Sequence, residues 1–228
     1  MPTPSTLATA GLVKHHLAER LRMEIMKGLL LPGERIVEGK WASKFGVAQG
    51  SIREAINILA QDGFVTKKSG RSARVIHLSE GAVAQLYELR GAIEGLAARL
   101  AAAARSDLKA LQATVDAMRR SVTAGDCEGL LDSDLRFHLE LCAISRNPYV
   151  LEHARRILLP FFAFVRMRVT ASGQDTSAWD RDLEAHQQII DLLREGEGEV
   201  AEQYVKKAMA RFAKTAYGNW EKRVSHGG

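Results

Sequence analysis

The chain of 228 residues has few cysteines, few aromatic residues and no long hydrophobic run. Its two cysteines, Cys127 and Cys142, cannot build a disulfide framework and lack the spacing of a metal-binding motif. The longest uncharged apolar stretch, residues 157–165, has nine residues and contains Pro160, whereas a membrane-spanning helix needs roughly 20. Near the N-terminus, Lys14-His15-His16 interrupts any apolar segment, so no secretory signal is expected. These absences argue against a disulfide-rich secreted protein or a membrane protein, and we expect a cytoplasmic one.

Positive charge is concentrated in the first third of the chain. Residues 1–77 carry 12 Lys and Arg against 6 Asp and Glu, and the remainder carries 20 against 21. A basic segment of this kind indicates a polyanionic partner such as nucleic acid. A basic but inert surface is the alternative that charge alone leaves open.

The most informative segment covers residues 38–59. Apolar residues recur at helical spacing up to Phe45 and again from Ile52 to Leu59, and Gly46-Val47 separates the two patterns. Two short helices joined by a glycine-containing turn are typical of a helix-turn-helix. In that motif the second helix enters the DNA major groove by its N-terminal residues. The sequence therefore predicts a DNA-binding domain.

The flanking segments complete a winged helix-turn-helix over residues 12–77. A helix is expected over residues 12–27, ended by Gly28 and Pro32-Gly33. Strands are expected at residues 64–68 and 73–76 around a turn at 69–72. Residues 1–11, rich in Pro, Thr and Ala, are expected to form a flexible arm.

Residues 78–223 contain no strand pattern and predict a bundle of about six helices, followed by a tail at 224–228. Ser79, Ser106-Asp107 and Asp126 are expected to cap the first three helices, and Asn147-Pro148 to begin the fourth. The fifth helix is expected to end near residue 195, and the sixth to cover residues 199–222. The fold class is thus mainly α, with a β-hairpin wing in the first domain.

Two sets of motifs, in order along the chain, carry a family resemblance. The N-terminal set is Leu31-Pro32-Gly33-Glu34-Arg35, Phe45-Gly46-Val47, Ile52-Arg53-Glu54-Ala55-Ile56 and Asp62-Gly63-Phe64-Val65. The C-terminal set is Leu89-Arg90-Gly91-Ala92-Ile93-Glu94, Asp134-Leu135-Arg136-Phe137-His138, Asn147-Pro148 and His186-Gln187-Gln188-Ile189-Ile190. Over residues 12–220 the chain resembles the GntR superfamily, FadR subfamily, with its helical FCD ligand-binding domain. The resemblance implies a homodimeric transcriptional regulator, more often a repressor, that binds a palindromic operator and responds to a small metabolite, expected to be a carboxylate.

Arg53 is the strongest candidate for reading DNA bases, because its guanidinium can bind guanine O6 and N7 bidentately. A surface ion pair with Glu54 or Asp62 is the structural alternative. Gln49 can pair with adenine or contact a phosphate, and relatives carry an arginine or a similar donor at its position. The operator sequence therefore does not transfer from them.

Other side chains of the first domain are candidate DNA contacts. Ser51, Arg35 and Lys40 suit phosphate oxygens, as do Lys44, Lys67 and Lys68. Gly70 and Arg71, at the tip of the wing, are candidates for the minor groove, although an ordinary hairpin turn is the alternative.

Asp134 and His138 are four residues apart on a predicted helix, so they share a face and can hold one divalent ion. A hydrogen-bonded core pair is the alternative. The resemblance adds His186 as a third ligand of zinc, nickel or manganese. It also implies a further histidine on the last helix, but that position is Ala208, which weakens the expected site.

The resemblance places Arg90 at the effector cavity, where it could bind a carboxylate. An Arg90–Glu94 pair is an equally favoured structural reading. Arg136, next to Asp134 in the motif, is a second candidate for the effector or a surface residue.

Two other functions remain open at this point. A metal-dependent hydrolase could use Asp134, His138 and His186, although no nucleophile or general base stands out beside them. A DNA-binding protein that no longer responds to an effector is the other, and Ala208 is the residue that suggests it.

Overall fold

The computed structural model describes residues 4–67, 72–172 and 180–224. Within these residues the helices are α1 (Pro4–Met26), α2 (Glu38–Phe45), α3 (Gln49–Gln61), α4 (Glu80–Ala103), α5 (Lys109–Ala124), α6 (Cys127–Ile144), α7 (Pro148–Ser172), α8 (Asp180–Glu195) and α9 (Gly198–Val224). The strands β1 (Val65–Thr66) and β2 (Arg74–Val75) form one antiparallel pair. Two compact units are present, one drawn from residues 1–77 and 163–170 and the other from residues 78–162 and 171–228. The mainly helical fold class is confirmed.

In the first unit, α3 packs against both α1 and α2. The helices bury their apolar faces in one core, which includes Leu21, Ile25, Ile52 and Ile56 at zero exposure. Helix α2 ends at Gly46, whose φ of +68° lies in the left-handed region that glycine adopts without a steric penalty. The glycine between the two apolar patterns therefore makes the turn of the helix-turn-helix, as the sequence predicted.

The wing is a short hairpin in which Val65 pairs with Val75 and Thr66 with Arg74. Both strands occur where they were expected, and each has two residues. The backbone of Arg35 adds an isolated antiparallel bridge to Arg74. Residues 68–71, which include the first three residues of the expected turn at 69–72, lie outside the described residues.

The start of α1 differs from the expectation. The helix begins at Pro4, so the segment expected as a flexible arm over residues 1–11 is helical from Pro4 onward. Proline is favoured in the first turn of a helix, where its missing N–H would have no partner and its φ angle is already suitable. The composition argument for disorder overlooked this preference.

The six helices expected after residue 78 are present in the described residues as α4 to α9, and residues 163–170 of α7 belong to the first unit. Ser79 caps α4 by accepting a hydrogen bond from the Ala82 N–H, and Asp126 caps α6 by accepting one from the Gly129 N–H. Helix α5 begins at Lys109, whose N–H donates to Oδ1 of Asp107, one of the two expected capping residues, whereas the Ser106 hydroxyl donates to the Ile144 carbonyl. None of the described helices is long and apolar enough to span a membrane.

Close packing of α4 against α9 depends on glycine. A Cβ added at Gly95 would lie 3.2 Å from the carbonyl oxygen of Glu202, and one added at Gly91 would lie 3.5 Å from the Cα of Lys206. The backbone of α9 therefore leaves little room for a side chain at Gly95, whereas a Cβ at Gly91 would be in ordinary van der Waals contact. Helix α4 also carries the charged residues Arg90 and Glu94, so this packing helps to set their position.

We predict that Gly95→Ala destabilises the protein. Overpacking costs about 1–3 kcal/mol, and the better helix propensity of alanine returns about 1 kcal/mol, which leaves a net loss of up to roughly 2 kcal/mol in the free energy of unfolding. Gly81→Ala is the control, because nothing lies within 4 Å of the added Cβ on the same helix. Denaturant unfolding should show a loss for the first variant and no loss for the second. Equal effects of the two substitutions would contradict the packing argument.

Candidate functional site

The N-terminal half of α3 presents the residues predicted to read DNA. Gln49 and Arg53 are exposed and lie one turn apart on this helix, whereas Ile52 and Ile56 on its other face are buried. Ser51 is half-buried, and Arg35 and Lys40 are exposed. Gly70 and Arg71 fall outside the described residues. The N-terminal end of α3 therefore carries the exposed polar side chains for which DNA contact was predicted.

Arg53 has a partner that differs from the two considered from the sequence. Its Nε lies 3.1 Å and its Nη2 lies 2.8 Å from Oε2 of Glu38, the first residue of α2. Gln49 donates through Nε2 to the same Oε2 at 3.2 Å. Asp62, one of the expected partners, instead pairs with Arg22. One carboxylate on α2 thus holds both predicted base-reading side chains.

The lysines expected near phosphates are partly engaged within the protein. Lys44 pairs with Glu24 and lies over the ring of Trp41, which is buried in the core. Lys67 donates to Oδ1 of Asn57 on α3 at 2.6 Å. Of these two lysines, only Lys67 is hydrogen-bonded to a residue of α3.

In the second unit, Asp134 and His138 of α6 meet His186 of α8. Oδ1 of Asp134 lies 3.2 Å from Nε2 of His138 and 3.1 Å from Nε2 of His186. All three residues are buried, and one ligand atom from each lies within 4.8 Å of the others. Helical spacing brings the first pair together, and packing of α8 supplies the third residue. The sequence-predicted triad is therefore assembled.

The spacing of the three residues is compatible with a divalent cation. Oδ1 of Asp134 is buried without an aligned hydrogen-bond donor among the described residues, although two imidazole nitrogens lie close to it. Two ligands of one ion stand roughly 3.0–3.4 Å apart when each is about 2.1 Å from it. The two separations from Asp134 match that spacing, and all three ligand atoms lie within 4.8 Å of one another, so they could surround one ion.

Both histidines are oriented through their other ring nitrogen, a feature that supports metal sites in general. Nδ1 of His186 lies 2.5 Å from the carbonyl oxygen of Asp182, one helical turn earlier. Nδ1 of His138 lies 2.5 Å from Oε2 of Glu94 as a close ion-pair contact, with the ring turned out of line for a regular hydrogen bond. Each Nε2 is left to face Asp134.

Electrostatics keep the buried carboxylates ionised. Burial raises the pKa of Glu94, but the charges of Arg90 and His138 outweigh it and lower the pKa to about 2. Burial also opposes ionisation of Asp134, yet the two imidazoles hold its pKa well below the usual range. Burial lowers the pKa of His138, and the Glu94 carboxylate reverses this, so the net shift is upward. The cluster therefore presents anionic oxygen beside imidazole nitrogen.

Arg90 forms the buried pair that the sequence offered as an alternative to an effector clamp. Its Nε donates to Oε1 of Glu94 at 2.7 Å, and its guanidinium lies 5.0–5.3 Å from the ring centroids of Tyr87, Phe161 and Phe162. Its Nη2 is buried and has no hydrogen-bond partner in the described part of the chain. Arg90 and Glu94 line a narrow cleft whose other walls are apolar and which has no room for a water molecule.

Two other positions singled out from the sequence, Arg136 and Ala208, contribute no side chain to the buried cluster of Asp134, His138 and His186. Arg136 is exposed on α6 and does not join the buried residues. Ala208 is buried on α9 and offers no ligand atom. Glu94, by contrast, was considered only as a partner of Arg90. Its contact with His138 bridges 44 positions of sequence, so no local pattern could have predicted it.

Comparison with known proteins agrees with both units. The model of the gntR family of bacterial regulatory proteins matches residues 13–75, and the FCD domain model matches residues 85–211. The chain is 26% identical to the "Probable D-xylose utilization operon transcriptional repressor" of Paenarthrobacter nicotinovorans, over 96% of each chain. It is also 26% identical to the gluconate operon transcriptional repressor of Bacillus licheniformis, over 78% of this chain and 74% of that one.

Solved structures support the same fold. Escherichia coli McbR/YncC is similar over 91% of this chain and 98% of its own, with a TM-score of 0.75 and 16% identity. At that identity the likeness establishes the fold alone. The family models carry the assignment further, because together they match both units of the chain. The protein belongs to the GntR family of bacterial transcriptional regulators, with a DNA-binding helix-turn-helix domain followed by an FCD domain.

Proposed function

We propose that this regulator is a homodimeric repressor whose helical domain binds a divalent cation together with a small carboxylate, and whose winged domain reads a palindromic operator. The observation that carries the proposal is the burial of Asp134, His138 and His186 together, with one ligand atom of each within 4.8 Å of the others. A buried carboxylate oxygen without an aligned donor, facing two imidazoles, has its electrostatic requirement met by a cation. The donor set of one oxygen and two nitrogens suits zinc, nickel or manganese.

The charge of the buried cluster supports a carboxylate as the effector. With both imidazoles neutral, as metal ligands must be, the cluster of Arg90, Glu94, Asp134, His138 and His186 carries a single net negative charge. A divalent cation and one carboxylate would together bring this cluster to neutrality, which burial favours. When bound, the cation would offer open coordination positions to a carboxylate oxygen, since the protein supplies three ligands.

Arg90 is the proposed second anchor for the effector. Its guanidinium and the His138 ring contact opposite oxygens of Glu94, so they belong to the same buried network. The free Nη2 keeps donor capacity, and an arginine can use it to bind an oxyanion. One relative is named for a gluconate operon, and gluconate is a hydroxylated carboxylate. The other is named for D-xylose, a neutral sugar.

On the DNA side, Arg53 and Gln49 are the proposed base-reading residues. Both are exposed on the first turns of α3, where a recognition helix meets base edges. Arg35, Lys40 and Ser51 are proposed to contact phosphates. Two copies related by a two-fold axis would read half-sites about one helical turn apart.

Regulation requires that the effector bind one conformation of the repressor more tightly than another. We propose that the liganded helical domain disfavours the dimer geometry that fits both half-sites.

The direct test is selection of bound fragments from genomic DNA, followed by binding titrations with and without divalent metal and a panel of small carboxylates. Enrichment of one palindromic region, released by a carboxylate only when metal is present, is the expected result. Enrichment unaffected by metal and by every carboxylate would favour an effector-independent protein, for which the missing ligand at Ala208 is the supporting observation.

We predict that Arg53→Ala removes sequence preference while the protein still folds, because the side chain is exposed before DNA binds. A bidentate guanine contact is worth about 1–3 kcal/mol, so affinity for the selected fragment should fall roughly 5- to 150-fold in an anisotropy titration. Arg156→Ala is the matched control, since Arg156 is an exposed arginine of α7 paired with Glu152. Unchanged affinity of the Arg53 variant for the selected fragment would refute its role.

We predict that chelator-treated protein binds one divalent ion per chain, and that His186→Ala weakens this binding at least about tenfold. Calorimetric titration with Zn²⁺, Ni²⁺ and Mn²⁺ measures the affinity and the stoichiometry. His153→Ala is the control, because His153 is an exposed histidine whose Nδ1 lies 2.8 Å from the Tyr149 carbonyl. The metal proposal fails if both variants bind these ions as the unmodified protein does.

Ala208→His should raise divalent-metal affinity by about tenfold or more, since it restores the ligand that the family pattern places on the last helix. The same calorimetric titration measures the gain. Ala201→His, at another buried position of α9, controls for nonspecific effects of a new histidine. If both variants bind Zn²⁺, Ni²⁺ and Mn²⁺ as the unmodified chain does, position 208 does not complete the site.

A further inference from the structure

Glu38 stands outside the residues considered for DNA contact, yet it touches two of them. Its carboxylate accepts hydrogen bonds from Arg53 and Gln49, and 26% of its side chain is exposed. We propose that Glu38 is a specificity-determining positioning residue, which fixes Arg53 and Gln49 in the orientation that reads bases and disfavours DNA lacking those bases. This inference rests on the proposed role of Arg53 in DNA binding.

The contact with Glu38 leaves the reading edge of Arg53 available. A guanidinium has five N–H donors, and Glu38 engages the edge formed by Nε and Nη2. Both Nη1 hydrogens and the second Nη2 hydrogen remain on the far edge. Two adjacent donors of that edge match O6 and N7 of guanine. Glu38 therefore holds the plane of the guanidinium without occupying the donors that a guanine would use.

Gln49 is held by the same carboxylate through its amide nitrogen. This contact settles which end of the amide faces the protein, so the oxygen and the second N–H are left for DNA. One acceptor and one donor side by side are what N6 and N7 of adenine require. A single carboxylate thus presents a guanine-reading group and an adenine-reading group together.

The negative charge of Glu38 also contributes to sequence discrimination, because it disfavours DNA that lacks the bases read by Arg53 and Gln49. Hydrogen bonding from Arg53, opposed by partial burial, lowers the pKa of Glu38, so the group is ionised at neutral pH. An anion at a DNA-facing surface weakens binding to any phosphate backbone, whatever the sequence. Only DNA that engages the oriented arginine and glutamine compensates for that repulsion. Loss of the carboxylate should therefore lower specific affinity relative to nonspecific affinity.

The same distances also fit an alternative role, in which Glu38 masks Arg53 and so opposes DNA binding. If the carboxylate merely masked Arg53 until DNA displaced it, removing it would strengthen binding to the selected fragment at least as much as binding to random DNA. The two roles thus predict opposite changes in the ratio of the two affinities. A purely structural role predicts no change in this ratio beyond that caused by lost stability.

The test compares three variants of the full chain, Glu38→Gln, Glu38→Asp and the control Glu54→Gln. Glu54 is an exposed carboxylate on the same helix as Arg53, so its neutralisation removes one negative charge without removing the Arg53–Glu38 contact. The probes are a duplex selected by the unmodified protein, the same duplex with each half-site guanine replaced, and a scrambled duplex. Anisotropy titrations at several salt concentrations give the affinities, and thermal unfolding confirms that each variant folds.

For Glu38→Gln we expect the ratio of selected to scrambled affinity to fall about tenfold, while scrambled affinity stays equal or rises. Glu38→Asp keeps the negative charge but has a shorter side chain that reaches Arg53 and Gln49 less well. The ratio of selected to scrambled affinity should therefore fall for this variant, without a rise in the affinity for the scrambled duplex. Glu54→Gln should leave the ratio within about twofold of the unmodified value. In an Arg53→Ala background, Glu38→Gln should have no further effect on discrimination of the guanine.

A ratio that is unchanged or increased in both Glu38 variants would overturn the inference. So would an equal fall in the ratio for Glu54→Gln, because the effect would then belong to charge alone. If the unmodified protein selects no sequence, the proposed operator reading has failed before Glu38 is tested. Selection by the unmodified protein with unaltered ratios in the variants rejects the role of Glu38 and leaves operator reading intact.

Discussion

The helical domain depends on the burial of charge in an apolar bundle. Arg90, Glu94, Asp134, His138 and His186 are all less than 10% exposed, and an ionised group in such surroundings is tolerated only when it is paired. The pairs run in series from Arg90 through Glu94 to His138 and on to Asp134 and His186. This series ties α4, α6 and α8 to one another, so their relative placement and the chemistry of the site are set by the same contacts.

Helix α4 contributes both to the packing of the bundle and to the buried charge network. One side of this helix approaches the backbone of α9 at Gly91 and Gly95, and the same helix carries Arg90 and Glu94 into the core. A change that pushed α4 away from α9 would also alter the support that Glu94 gives to His138. Stability of the bundle and the geometry of the proposed metal site are therefore expected to respond together to substitutions on α4.

In each unit one glutamate holds two other side chains, but the two glutamates differ in solvent exposure. Glu94 is buried and holds an arginine and a histidine, whereas Glu38 is partly exposed and holds an arginine and a glutamine. Burial makes the first set of contacts strong and hard to rearrange. Exposure leaves the second set free to exchange partners with DNA, since surface ion pairs contribute little to stability.

The sequence by itself determined the features that depend on near neighbours along the chain. Gly46 between two apolar patterns gave the turn of the motif, Ser79 and Asp126 gave helix starts, and the spacing of four residues placed Asp134 and His138 on one face. Tertiary structure decided the partners that lie far apart in sequence. Glu38 rather than Glu54 or Asp62 holds Arg53, Glu94 supports His138, and Arg136 points to solvent while Arg90 is buried. The physical reason is that helix geometry fixes relations within one or two turns, whereas contacts between helices depend on how all apolar faces pack at once.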